Sequence, residues 1–211
     1  MPTSEDRPPL SRARVLETAL LLIDDAGLEA LSMRKLGAAL GVEAMSLYNH
    51  VASKDDLLAG VADLLLESVE IPAGDEDWRA SVRALCNAVR QVGIAHPRAF
   101  PLLVTQGRSS LEAWGPVLAG FDLIHHAGLS DEQAVSAVNV VASFLVGFVL
   151  FEINAMVHQQ PLLHDRDIPP DRALLRRYLA ARPLTTDHDA EFTRGLDVLI
   201  AGIEAGAIPP V

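Results

Sequence analysis

From Val15 to Ile203 the apolar residues recur at helical spacing, and no segment alternates with the period of two that marks a strand. Val15, Ala19, Leu22 and Ile23 form a stripe behind Ser11, whose hydroxyl suits a helix N-cap, and Gly27 stops the run after about Ala26. Leu28 and Leu31 tie the following turn into a small core. Ser32 caps a second helix, with Met33, Leu36 and Leu40 on one face, and Gly41 stands where a helix ends in a left-handed residue. Past Val42, the run 43–50 predicts a third, short helix that turns Leu47 and Val51 inward. Ala44, Met45, Ser46, Tyr48, Asn49 and His50 then face outward. Ser53 caps a fourth helix, with Asp55 and Asp56 near its positive end and Leu57, Leu58, Val61, Leu64 and Leu65 leading to about Val69.

Ile71-Pro72-Ala73-Gly74 breaks this helix and marks a boundary. Beyond it the pattern predicts helices over 77–95 (Trp78, Val82, Leu85, Val89, Val92), 99–105, 111–127, 130–158, 171–181 and 186–205. His96-Pro97, Gly128 and the stretch 161–170 separate them. The expected fold is all-α. It divides into an arm at 1–9, a domain over 10–70 that includes the linking helix 53–70, and a larger domain over 75–211.

The run 133–151 carries no charge over 19 residues, long enough for a membrane span. Ser136, Asn139 and Ser143 interrupt it and no Lys or Arg belt flanks it. A helix apolar all round also results when one side faces its own core and the other a partner. No membrane contact is expected.

The 211 residues and an apolar half suffice for a small module and a helical body. One cysteine, Cys86, excludes an internal disulfide and a multi-cysteine zinc site. Residues 1–9 lack the apolar run of a secretory signal, so a cytoplasmic location is expected. The net charge of −11 argues superficially against nucleic acid. Over 1–70, six basic residues meet twelve acidic ones. Their arrangement matters more than the sum. Residues 32–54 hold Arg34, Lys35, Lys54 and His50 against Glu43 alone, and phosphate contact depends on the local face.

A helix, a glycine turn and a helix with a polar-aromatic outer face make a helix-turn-helix, whose second helix enters the DNA major groove. The residues are specific. LSMRKLGAALGV from Leu31 and SLYNHVASKDDLL from Ser46 resemble the DNA-binding domain of the tetracycline-repressor (TetR) family. The resemblance implies that Ser32, Met33, Arg34, Ala44, Met45, Ser46, Tyr48, Asn49, His50 and Lys54 lie at the DNA face. Arg34 is the candidate for base readout, since a guanidinium pairs bidentately with a guanine edge, although a salt bridge to Glu43 or Glu29 competes. Ser46, Tyr48, His50 and Lys54 suit phosphates, Tyr48 also a thymine methyl. Ala44 and Met45 donate no hydrogen bond and would read methyl groups and shape. The prototype of the family has glutamine and proline there, and tryptophan where Asn49 stands, so the operator should differ.

The larger domain also resembles the tetracycline-repressor subgroup, in residues 85–106 and 147–150 and in helix lengths. The resemblance implies a homodimer through helices 130–158 and 186–205, with Phe192, Leu196, Leu199, Ile200 and Ile203 available on the last helix. Candidate walls of an effector pocket are Ile94, Phe100, Leu103, Leu118, Phe121, Phe144, Phe148 and Phe151, with Trp114 and Val104 near them. Arg90, His96, Gln106, His125, Asn139 and Glu152 are the polar groups that could orient a ligand; each could equally belong to a solid core or surface. The subgroup's magnesium-binding histidine corresponds to Leu103 and its glutamate partner to Phe151, with Glu152 one residue away. Those residues do not supply the hard ligands that magnesium requires. A hydrophobic effector without metal or cofactor is expected.

The function so implied is a dimeric repressor that binds a palindromic operator and is released by a small molecule. An activator or a co-repressor-dependent regulator uses the same parts and stays open. A catalytic reading finds no nucleophile elbow, metal-spaced His/Glu set or phosphate-binding glycine loop. The thin basic face predicts a shallow salt dependence of non-specific DNA binding. In a titration of affinity against salt, a slope equivalent to ten or more released counterions would contradict this face.

Overall fold

Most of the longer helices start where the chain offers a side-chain oxygen to an orphan N–H. Ser11 accepts from Arg14 to open α1 (Arg12–Ala26), and Ser32 accepts from Lys35 to open α2 (Met33–Leu40). α3 (Ala44–Leu47) follows the turn, and Ser53 accepts from Asp56 to open α4 (Lys54–Glu67). The computed structural model describes residues 9–73, 77–158, 169, 171–181 and 187–207. Nearly all of the expected arm at 1–9, and of the expected loop at 161–170, lies outside the described residues.

Beyond α4 come α5 (Trp78–Ala95), α6 (Leu102–Thr105), a 3-10 turn at Glu112–Trp114, and α7 (Gly115–His125). α8 (Asp131–His158), α9 (Ala173–Ala181) and α10 (His188–Glu204) complete the chain. No strand occurs among the described residues, and the fold is all-α. Ser130 and Gln133 cap α8 reciprocally: Ser130 Oγ accepts from the Gln133 N–H at 3.3 Å, and Gln133 Oε1 from the Ser130 N–H at 3.2 Å.

Three elements are shorter than the periodicity predicts. α3 is a single turn, because the N–H groups of Tyr48, Asn49 and His50 bond to the third residue back and tighten the segment. The helix expected over 111–127 begins only at Gly115, after the 3-10 turn, with Pro116 in its first turn. α6 begins at Leu102 because residues 97–101 turn, the Phe100 N–H closing back on the His96 carbonyl.

α1, α2, α3 and α4 enclose a first core centred on Val15, Ile23, Leu36, Leu47 and Leu57, all fully buried. The second core gathers α5, α7, α8 and α10 around Val149, Phe192 and Leu196. α8 is long and apolar enough to cross a membrane by length and composition. In this fold it packs on α5, α7 and α10. The cores interlock: Ala99 and Leu102 belong to the first although they follow α5, and Val69 belongs to the second although it follows α4. His96 Nδ1 meets Asp24 Oδ2 at 2.7 Å, and Arg98 donates to the carbonyls of Asp24 and Asp25, so the end of α1 is held by the start of the α6 segment.

The helix-turn-helix depends on two glycines. Gly41 has φ +72°, a conformation costly for any residue with a Cβ. Gly37 lies against the turn: a Cβ there would stand 2.8 Å from the Val42 carbonyl oxygen and 3.2 Å from the Ala44 nitrogen. The neighbours are backbone and cannot rotate away. Gly37→Val should cost about 1–3 kcal/mol by overpacking, read from the denaturant midpoint, and should abolish operator binding in a gel shift.

Candidate functional site

α2 holds α3 so that its outer surface is left open. Met45 is 75% exposed; Tyr48, Asn49, Ser32, Arg34 and Lys54 are exposed, and Met33, Ala44, Ser46 and His50 half-buried, while Leu47 beneath them is fully buried. The residues that the sequence assigns to DNA thus fall on and beside one short helix. Arg34 makes no ion pair among the described residues, so neither Glu29 nor Glu43 sequesters it. Lys54 donates to the Leu31 carbonyl at 3.1 Å, which anchors it at the edge of this face with two ammonium hydrogens left over. Ser32 accepts from Lys35 and is an N-cap as well as a candidate phosphate ligand.

One residue of this region escapes the sequence reading. Arg12, on α1, donates to the His50 carbonyl at 3.0 Å and forms a bidentate pair with Asp56 at 2.8 and 3.1 Å. The Asp56 carboxylate also accepts from the Ala52 N–H at 2.7 Å. These bonds clamp the turn between α3 and α4 to α1, 44 residues away in the chain. No local signal could have shown it.

The larger domain contains a partly open, mostly apolar cavity walled by α5, α7 and α8. Leu85, Cys86 and Val89 line it from α5, Gly120 and Ile124 from α7, and Val141 and Leu145 from α8. Leu66 of α4, Leu103 of α6 and Arg108 reach it from the side of the first core. Burial pushes the Cys86 thiol up to about 12, so it presents a neutral wall at neutral pH.

Of the fourteen residues proposed from sequence to bind an effector, Leu103 lines this cavity. The others lie elsewhere, for identifiable reasons. Arg90 and Glu152 are buried and pair bidentately at 2.7 and 2.6 Å, and Arg90 also meets Asp189 at 2.7 Å. The hydrogen bonds that it donates to Glu152 hold the Arg90 guanidinium well above its ordinary value. A buried pair of this kind is structural, because parting it would strand a charge at about 3–5 kcal/mol. Phe144 and Phe148 pack on Phe192, with centroids at 5.9 and 5.1 Å, and form the seam of α8 with α10. Phe100 is fully buried. His96 belongs to the contact with Asp24. His125 sits by Asp131 and the Phe121 ring. Phe151 is 81% exposed, and Leu118 and Asn139 are exposed too; Ile94 and Gln106 are half-buried.

The missed wall residues carried a signal that was legible but ambiguous. Val82, Leu85 and Val89 repeat at helical spacing, which suits a cavity wall and a solid core equally. Magnesium does not fit here: Leu103 is apolar, and both Glu152 oxygens bond to Arg90.

The loop 106–110 joins the cavity to α4. The Ser109 N–H donates to both Asp63 oxygens at 3.1 Å and its hydroxyl to Asp63 Oδ2 at 2.5 Å, while the Ser110 hydroxyl donates to Glu67 at 2.7 Å. Asp63 is buried, so these bonds satisfy a charge that water cannot reach.

Comparison with known proteins agrees with this geometry. The profile described as "Bacterial regulatory proteins, tetR family" matches residues 15–61, and "Tetracyclin repressor-like, C-terminal domain" matches 71–207. The transcriptional repressor DrrR1 of Streptomyces coeruleorubidus is 36% identical over 157 residues, 69% of this chain but 55% of its own length. The class D tetracycline repressor protein of Escherichia coli is 29% identical over 200 residues, 92% of this chain and 89% of its own. ActR of Streptomyces coelicolor, solved in complex with actinorhodin, superposes with a TM-score of 0.83 at 28% identity, covering 95% of this chain and 99% of that one. BioQ, solved with its double-stranded DNA operator, gives a TM-score of 0.68 at 25% identity, covering 93% and 99%.

The Arg12–Asp56 clamp yields a pH dependence. The hydrogen bond from Arg12, then that from Ala52, holds the Asp56 carboxyl below its ordinary value. A carboxylate depressed on folding stabilises the native state above its unfolded pKa of about 3.9 and loses that contribution as pH falls through the folded value. Asp56→Asn should therefore be less stable than the parent at pH 7, with the gap between their melting temperatures closing below about pH 4. An equal gap at pH 7 and pH 3 would deny the clamp its ionic character.

Proposed function

Because the chain belongs to the tetracycline-repressor family of transcriptional regulators, we propose that it is a dimeric repressor that reads a palindromic operator through α2 and α3 and is released by a hydrophobic small molecule held between α5, α7 and α8. The observation that carries the reading is the joint presence of an open recognition face and an apolar cavity, linked by α4. Residues 10–70 serve DNA, and 75–211 serve the ligand and the dimer. The protein works in the cytoplasm beside its operator and catalyses no reaction.

Dimerisation falls to α8 and α10, but not through Phe192, Leu196, Ile200 and Ile203, which the chain's own core buries; Val135, Val140, Phe151 and Val198 stand exposed on a single chain instead. Two copies of α3 related by a two-fold axis then reach successive major grooves. Met45, Tyr48 and Ala44 read methyl groups and groove shape, and Arg34 reads one guanine.

Release follows from where the cavity lies. A ligand displaces Leu66 on α4, Leu103 on α6 and the loop that grips Asp63 and Glu67. α4 carries any displacement to Ser53 and Asp56, which cap the recognition helix's exit turn. The ligand acts only by binding the non-DNA arrangement more tightly than the DNA-bound one.

Selection of bound duplexes from a random oligonucleotide pool should return a palindrome. On that site Arg34→Ala should cost about 1–3 kcal/mol and relax specificity at one position per half-site. A loss spread evenly over all sequences would reduce Arg34 to a phosphate contact. A failure to enrich any palindrome at low salt would leave a helical ligand-binding dimer without operator recognition.

A further inference from the structure

Among the described residues that line the cavity, Arg108 carries the only charged side chain. On α5 and α10, Arg79, Arg83, Arg90 and Arg194 each face a carboxylate. Arg108 has no carboxylate partner among the described residues, in a chain whose net charge is −11. Its guanidinium carbon lies 5.1 Å over the Trp114 ring, a contact that fixes the group's position without neutralising it. Arg108 is exposed and so stands at the cavity's open side, with apolar wall behind it. A ligand that fills the cavity covers this cation and removes some of its water. An uncharged ligand returns at most ordinary hydrogen bonds for that loss, whereas an acid returns charge-assisted ones, roughly twice as strong.

On the reading of the cavity as the effector site, we propose that the effector is a hydrophobic organic anion, with its apolar body among α5, α7 and α8 and one acidic group paired with Arg108. The next residue along the chain explains how that pairing reaches DNA. Ser109 is held by the buried Asp63 carboxylate of α4 through three hydrogen bonds, so a pull on Arg108 is applied to α4 one residue later. The charge of the ligand thereby serves both recognition and release.

The test uses two fluorescent probes with the same aromatic body, 8-anilinonaphthalene-1-sulfonate and the uncharged N-phenyl-1-naphthylamine, titrated into the full chain. The sulfonate should saturate, and Arg108→Gln should weaken it about tenfold or more, with Arg108→Lys restoring part of the loss. The uncharged amine should respond to neither substitution. A sulfonate affinity unchanged by Arg108→Gln, or an equal loss for both probes, overturns the charge assignment while leaving the cavity as the effector site. Ala142→Phe, which fills the cavity from α8, should remove both probes; undiminished sulfonate binding by that variant places the probe elsewhere and overturns the proposal. Gel shifts of each variant on the selected operator report folding and DNA recognition independently. Failure of the charge assignment is thus distinguishable from failure of the regulator reading.

Discussion

Leu57, Val61 and Leu65 bury one side of α4 in the small core, while Leu66 on the same helix reaches the cavity and Val69 just beyond it enters the large core. A single 14-residue helix therefore cannot move at one end without a response at the other. Packed interiors shift between discrete arrangements rather than flowing, because their density leaves no slack. The buried Asp63 sharpens this constraint: its partners are the N–H and hydroxyl of Ser109, and a carboxylate out of reach of water holds its donors tightly. α4 is thus gripped by apolar packing on the DNA side and by hydrogen bonds on the ligand side.

The walls of the larger domain divide by stiffness. Behind the cavity, the Arg90–Glu152 pair and the rings of Phe144, Phe148 and Phe192 lock α5, α8 and α10 together. Gly195 lets α10 approach α8 so closely that a Cβ there would collide with the Phe144 ring. Toward the DNA-binding domain the boundary is instead a one-turn helix, a loop and a 3-10 turn. Short elements with few intrahelical hydrogen bonds yield first. On the proposed reading, a ligand in the cavity pushes against a rigid back and is answered at the front, where α4 lies.

At the other end, an acidic chain presents a face from which carboxylates are nearly absent. Arg12 and Asp56 neutralise one another while fixing the exit of α3, and Arg34 is left free of ion pairs among the described residues. On the proposed reading, the modest basic charge leaves affinity shared between phosphates and the shape and methyl groups that Met45 and Ala44 would meet.

Much of this was legible in the sequence. Caps at Ser11, Ser32 and Ser53, the stops at Gly27 and Gly41, and the stripes of Val15, Leu36 and Leu47 are local events, set by hydrogen bonds and periodicity within a few residues. They determined the helices, the all-α class and, through the motif from Leu31 to Leu58, the helix-turn-helix. What lies between helices was decided only by tertiary structure. Apolar spacing marks which side of α5 or α8 turns inward, but whether that side meets a neighbour or a void depends on how separate helices seat against one another. Likewise Arg90 looked like a ligand group until Glu152, 62 residues on, came to occupy it, and Arg12 looked idle until Asp56 arrived. The periodicity of a chain specifies faces; partners across a core, and the spaces left unfilled, exist only once the faces have met.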